Sequence, residues 1–179
     1  MKITIKNARL SFPDLFQPRA YEAGGKPKYK ATFLVPKGSE QAKAIEEAIA
    51  KTAADKWGAK AESILKTIRN NPNRYCFQDG ETKTYDGYDG MMAFSASNAV
   101  RPTVIDRDRS PLSEGDGRPY AGCYVNAIIE IFTYDNPGKG ISASLSGVQF
   151  VKDGEAFSGG RPAKADDFED LGMEEEALA

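Results

Sequence analysis

The chain has 179 residues, a formal charge of −2, and 40% apolar against 28% charged residues, a soluble globular composition sized for one domain, or one domain and a tail. It contains no histidine, and its two cysteines, Cys76 and Cys123, lie far apart; readings built on a histidine base, a nucleophilic triad, or a CxxC zinc or redox pair therefore start weak. No apolar run approaches the roughly 20 residues of a membrane span, and MKITIKNARL lacks a signal peptide's apolar segment, so the expectation is a cytoplasmic protein with buried free thiols and no membrane contact.

Residues 2–12 alternate, with Ile3, Ile5, Leu10 and Phe12 as the apolar set and an irregularity near Asn7-Ala8. This predicts a long strand, followed by a loop rich in Pro and Gly from Pro13 to Pro27. Residues 28–35 alternate again, placing Tyr29, Ala31, Phe33 and Val35 on one face and Lys28, Lys30 and Thr32 on the other. The period then changes. Ser39 caps a predicted helix in which Ala42, Ile45, Ile49, Ala53 and Trp57 recur at three- and four-residue steps, and Gly58 stops it. A second short helix carries Ala61, Ile64, Leu65 and Ile68 inward and ends at Asn70-Asn71-Pro72.

From residue 73 onward the chain reads as strand and loop. Strands are predicted at 74–77, 91–98, 101–106, 120–134 and 141–152, with a mobile loop at 79–90, a polar loop at 107–118 and a hairpin around Asn136-Pro137-Gly138-Lys139-Gly140. Residues 163–179 carry a charge of −6, leaving +4 on residues 1–162. The tail's acids, Asp166, Asp167, Glu169, Asp170, Glu174, Glu175 and Glu176, are interspersed with Phe168, Leu171, Met173 and Leu178. The expected architecture is mainly β with a helical insertion at about 39–69 (α+β): a small OB-fold-like barrel over residues 1–162, which the strand pattern alone does not separate from a sandwich, and a disordered acidic tail over 163–179.

Tyrosines beside bases are the first sign of function. Tyr29 lies between Lys28 and Lys30, Tyr75 beside Arg74, and Tyr120 near Arg118, while Tyr21, Tyr85 and Tyr88 sit in loop or strand-edge contexts and Tyr124 lies inside a predicted strand, where it could also face the core. Single-stranded nucleic acid is held by such sets, its bases stacking on rings and its phosphates tracked by Lys and Arg. For any single tyrosine, packing in the core or rim is the plainer account. Arg101, Arg107, Arg109 and Arg118 form either a phosphate clamp or a loop self-neutralised by Asp106, Asp108, Glu114 and Asp116. A metal-dependent nuclease would need clustered acids, but Asp86, Asp89, Asp106 and Asp108 match no catalytic spacing, and turn formation explains Asp86 and Asp89. Gly138-Lys139-Gly140 lacks the spacing of a phosphate-binding loop.

The stretches KNARLSFPDLFQPRA, GGKPKYKATFLVPK and YAGCYVNAIIEIFTYDNPGKGISASLSGVQFVKDGE, followed by the acidic tail, resemble in content and order the small OB-fold single-stranded DNA-binding proteins of tailed bacteriophages. The resemblance covers well over half the chain. It implies sequence-tolerant binding of single-stranded DNA during phage replication or recombination, with no catalytic step and no cofactor, in the cytoplasm of an infected host. It also implies that the tail, through Asp166, Asp167, Phe168, Glu169, Asp170, Glu174, Glu175 and Glu176, competes with DNA and docks replication or recombination proteins. Joined to the residue reading, phosphates are expected on Lys28, Lys30, Arg74, Arg101, Arg107, Arg109 and Arg118. Bases are expected on Tyr29, Tyr75, Tyr85, Tyr88, Tyr120 and Tyr124, with no metal site. The sequence is compatible with a homodimer. The competing reading is an interaction module that recruits replication proteins and binds DNA little.

Overall fold

Alternating side chains make strands, and here the strands curl until the sheet meets itself. The computed structural model describes residues 1–135, 138–157, 165 and 168–173. Its strands are β1 (Lys2–Arg19), β2 (Lys28–Pro36), β3 (Phe77–Asp79), β4 (Met91–Asn98), β5 (Thr103–Ile105), β6 (Tyr124–Tyr134) and β7 (Gly140–Lys152). Two helices, α1 (Glu40–Trp57) and α2 (Ala61–Ile68), enter between β2 and β3. The sheet order is β3-β4-β2-β1-β6-β7-β5, and a parallel pairing of Ser97 with Ser144 returns β4 to β7. Across that seam the Asn98 side-chain amide donates to the Leu145 carbonyl at 3.0 Å. Strands β1, β2, β4, β7 and β6 thus close a five-stranded barrel with one helical insertion, which decides for the OB-fold class over a sandwich.

Closure depends on how β1 bends. Asn7 and Phe12 hold positive φ angles of 56° and 45°, uncommon for residues with a side chain. At the same places the register slips, between Ile5 and Ala8 against β6 and between Ser11 and Asp14 against β2. Such bulges bend a strand and raise its twist, letting one strand serve two walls of a barrel. The Asn7 irregularity was legible in the sequence; the one at Phe12 was not. It extends the strand beyond residue 12 to Arg19 and turns Phe12 outward, 55% exposed, instead of leaving it with Ile5 and Leu10 in the core.

The inner residues fill the barrel: Ala31, Phe33 and Val35 from β2, Phe94 and Ala96 from β4, Val125, Ala127, Ile129 and Ile131 from β6, and Ile141, Ala143 and Leu145 from β7. Phe33 and Phe94 are register partners, and Phe77 meets Phe94 edge-on at 5.8 Å and 84°. Helix α1 packs on β6, β1 and β2 through Ala42, Ile45, Ile49 and Ala53. Its start is fixed by Ser39 Oγ, which accepts from the Ala42 amide at 3.2 Å, and its end by Gly58 at φ 56°. Trp57, the sole tryptophan of the sequence, lies at the end of this helix, partly buried against the core. Other predicted strands shorten or shift: 74–77 becomes Phe77–Asp79, 101–106 becomes Thr103–Ile105, and 120–134 begins at Tyr124. Cys76 and Cys123 are free thiols, and burial pushes them up to about 12 and about 11. No helix among the described residues is long and apolar enough to cross a membrane.

Candidate functional site

Outward-facing residues of β1, β2 and β4 line up in rows. Ser11 is the register partner of Thr32, and Thr32 of Ser95, with the Thr32 and Ser95 hydroxyls 3.1 Å apart. Over this row opens a cleft of about 940 Å³, its floor made of Ser11, Thr32, Ser95 and Ala93. The floor carries no charge and no long side chain, so it can accept a flat ligand without choosing among hydrogen-bond patterns.

Loop residues 83–88 form one wall. Tyr85, 50% exposed, meets Phe12 edge-on at 4.8 Å and Tyr88 at 5.2 Å. Tyr88 is only 3% exposed, and its hydroxyl lies 2.9 Å from Ser11 Oγ. The stretch 79–90, expected as a mobile loop, begins with residues that touch the end of β2. Lys37 pairs with Asp79 at 2.8 Å and also with Glu81, and the Asp79 carboxylate accepts from the Glu81 amide at 2.9 Å. Gly80 and Gly87 are required by close approach. A Cβ at Gly80 would fall 2.3 Å from the Tyr88 carbonyl oxygen, and one at Gly87 2.5 Å from the Phe157 ring.

The opposite wall comes from the end of β1 and the start of β2. Tyr21, 49% exposed, donates its hydroxyl to Asp14, and its ring lies 4.7 Å from the Lys30 ammonium and 5.7 Å from the Arg19 guanidinium. Burial and the Asp14 contact push the Tyr21 phenol far up, and burial pushes Tyr75 up to about 12. Burial also raises Tyr88. These rings stay neutral at physiological pH and do not repel an anionic ligand. Arg19, Lys30 and Lys83 are the cations of the lining and Asp14 and Asp86 its acids.

The predicted residues divide between this cleft and other places. Lys30, Tyr75, Tyr85 and Tyr88 line it. Lys28 is exposed at the start of β2, in register with Arg19. Tyr29 follows the inward phase of its strand and sits beyond the cleft lining, 5.9 Å from the Arg101 guanidinium, which donates to the Phe16 carbonyl at 2.9 Å. Arg74 lies against Gly138 and, with Lys139, lines a smaller cavity of about 300 Å³ beside α2. Tyr120 is a core residue, 5% exposed, its hydroxyl donating to Asp153 at 2.7 Å. Tyr124 lies on the outer wall between Arg9 and Lys152.

Arg107, Arg109 and Arg118 stand on the β5 side of the barrel, outside the cleft lining. Arg118 pairs with Asp106 at 2.5 Å, the self-neutralised arrangement that the sequence left open, and its hydrogen bond holds the Asp106 carboxyl below the usual range. Arg107 donates to the Val151 carbonyl, and Arg109 is exposed at φ 70°. Phe12, Arg19, Lys83 and Phe157 were not anticipated. None of the four has a signal in its local sequence, and Phe12 reads there as one more member of the inward apolar set. Of the tail residues, Phe168, Glu169 and Asp170 are exposed, whereas Asp166, Asp167, Glu174, Glu175 and Glu176 lie outside the described residues. Among the described residues no group of three His, Cys, Asp or Glu side chains could hold a metal ion.

A closed OB barrel with an aromatic, cation-flanked cleft over its β2–β4 face defines the class: an OB-fold ligand-binding barrel. The family model described as the single-stranded DNA-binding protein of Enterobacter phage Enc34 matches residues 1–178, and the chain belongs to that family. Protein p50 of Acyrthosiphon pisum secondary endosymbiont phage 1 is 53% identical over 183 residues, covering 100% of both chains. The solved single-stranded DNA-binding protein of bacteriophage Enc34 in complex with ssDNA is 31% identical, with a TM-score of 0.74, over 88% of this chain and 89% of that one. The bacteriophage T7 single-stranded DNA-binding protein gp2.5 is 15% identical with a TM-score of 0.57, covering 94% and 97%, a likeness of fold alone.

Proposed function

We propose that the chain binds single-stranded DNA in the β1–β2–β4 cleft with little regard to sequence, protecting and presenting single strands in phage replication or recombination. One observation carries this reading: an uncharged Ser/Thr floor is bordered by the exposed rings of Phe12, Tyr21 and Tyr85 and by Arg19, Lys30 and Lys83. Bases stack on rings whatever their edges carry, and cations hold the phosphates, so such a surface grips a strand without reading it. The Enc34 protein, similar along most of the chain, was solved in complex with ssDNA, which supports the same ligand here.

In this reading Tyr85, Phe12 and Tyr21 offer ring faces, Tyr75 and Tyr88 shape the walls, and Lys28, Lys30, Arg19 and Lys83 meet phosphates. Arg74 and Arg101 flank the path, while Arg118 is committed to Asp106. The domain comprises residues 1–162. The tail, residues 163–179, carries −6, competes with DNA for the cations and docks partner proteins through acids set among exposed Phe168, Leu171 and Met173.

Mobility-shift titrations with oligothymidine and a mixed-sequence strand, in low and moderate salt, test the reading. Binding is expected to fall steeply with salt and to differ little between the two strands. Absence of binding in low salt overturns it and favours the recruitment module.

A further inference from the structure

The outer wall of β1, β6 and β7 carries a second aromatic and cationic group that the cleft does not include. Arg9 and Tyr124 are register partners on β1 and β6, and Tyr124 and Lys152 on β6 and β7. Partners in adjacent strands point to the same face. Ala8, Leu10 and Val125 are fully buried, so that face is the outer one. The Tyr124 ring lies 5.9 Å from the Arg9 guanidinium and 4.9 Å from the Lys152 ammonium.

The group joins the cleft through Phe157, whose ring is part of the cleft lining and lies 4.3 Å from the Arg9 guanidinium. Arg9 is also fixed from behind, donating to the Gly122 carbonyl at 3.0 Å and the Glu155 carbonyl at 2.6 Å. A cation held in this way loses little side-chain freedom on meeting a phosphate. The nearby Asp153 carboxylate accepts the Tyr120 hydroxyl, and the Glu155 side chain is exposed. Register also connects the row to the cleft side of the barrel, because Arg9 pairs with Leu34 of β2 and Leu34 with Ala93 of the cleft floor. Adjacent strands are about 4.8 Å apart, and Tyr124 stands one strand beyond Arg9 in the same row.

We propose that the single-stranded DNA path continues past Phe157 onto a further stacking subsite, in which one base lies on Tyr124 and its flanking phosphates meet Arg9 and Lys152. This rests on the cleft being the DNA site. It makes the full footprint longer than the cleft and predicts that the subsite matters only to strands long enough to reach it.

The test is fluorescence anisotropy with the full chain and a ladder of oligothymidines from about 4 to 16 nucleotides, the range of OB-fold site sizes. Tyr124→Ala should bind the shortest competent oligomers like the wild type and the longer ones roughly 5-fold to 150-fold more weakly, the effect of losing one stacked base. Tyr124→Phe, which keeps the ring, should restore the longer oligomers. Lys152→Gln, on an exposed side chain, should lower the salt slope by about 0.7 on the longer oligomers only. Equal affinity of Tyr124→Ala and wild type at every length overturns the subsite, and so does an equal loss at every length. If the wild type binds no oligomer, the cleft reading itself falls.

Discussion

Tyr85 and Tyr88 stand in one loop, three positions apart, and the structure gives them different work. Tyr85 turns half its surface to solvent against Phe12, whereas Tyr88 is buried with its hydroxyl on Ser11. Tyr85→Ala is expected to weaken binding of oligothymidine by about 1–3 kcal/mol, read by anisotropy, while the thermal midpoint hardly moves. Tyr88→Phe keeps the ring and orphans a buried hydroxyl. It should cost about 1–3 kcal/mol of stability in urea unfolding, with a smaller effect on binding than Tyr85→Ala. Nothing in DGETKTYDGYDG separates the two rings, because Tyr88 is buried with Leu34, Ala93 and Phe157 and its hydroxyl meets a serine 77 positions earlier in the chain. The same holds for Tyr120, whose partner Asp153 is 33 positions later. Local sequence reveals which residues can stack; the fold decides which of them present a face.

Strand periodicity made most elements legible, including the helical insertion with its Ser39 cap and Gly58 stop. Boundaries failed where a residue left the ladder. Pro13 and Pro18 read as the end of β1, yet the strand runs on through register shifts between Ser11 and Asp14 and between Asp14 and Arg19. A proline is tolerated in a strand where an irregularity spares its missing N–H. The segment between β5 and β6 holds a further lesson. Its arginines read equally well as a clamp or as a neutralised loop, and the Arg118–Asp106 pair decides for Arg118. Because that hydrogen bond lowers the Asp106 pKa, its stabilising contribution is complete above the ordinary carboxylate value of about 3.9 and is lost as pH falls through the lowered one. Asp106→Asn should therefore flatten the acid limb of the urea midpoint plotted against pH. An unchanged slope below pH about 4 would show that the pair contributes nothing there.

The strand pattern left a barrel and a sandwich open, the family resemblance pointed to the barrel, and neither showed where it closes. The seam is a single register pair, Ser97 with Ser144, two small residues that no alternation rule would single out. Charge separates on the scale of the whole molecule, with +4 on residues 1–162 and −6 on residues 163–179. Removing residues 163–179 is expected to tighten oligothymidine binding most at low ionic strength, the gain fading as the screening length shrinks from about 30 Å at 0.01 M to about 8 Å at 0.15 M. Equal affinities of the two chains across that salt series would remove the tail from the competition.

Trp57 is the only indole in the sequence, and it sits at the end of α1, outside the cleft lining, whereas Tyr21, Tyr75, Tyr85 and Tyr88 are all part of that lining. The molecule thereby carries two optical channels with separate origins. Indole emission follows the packing of the helical insertion, and four of the eight tyrosines that make up the phenol emission stand where a strand in the cleft can quench them. A strand that quenches the second without moving the first has bound a folded protein.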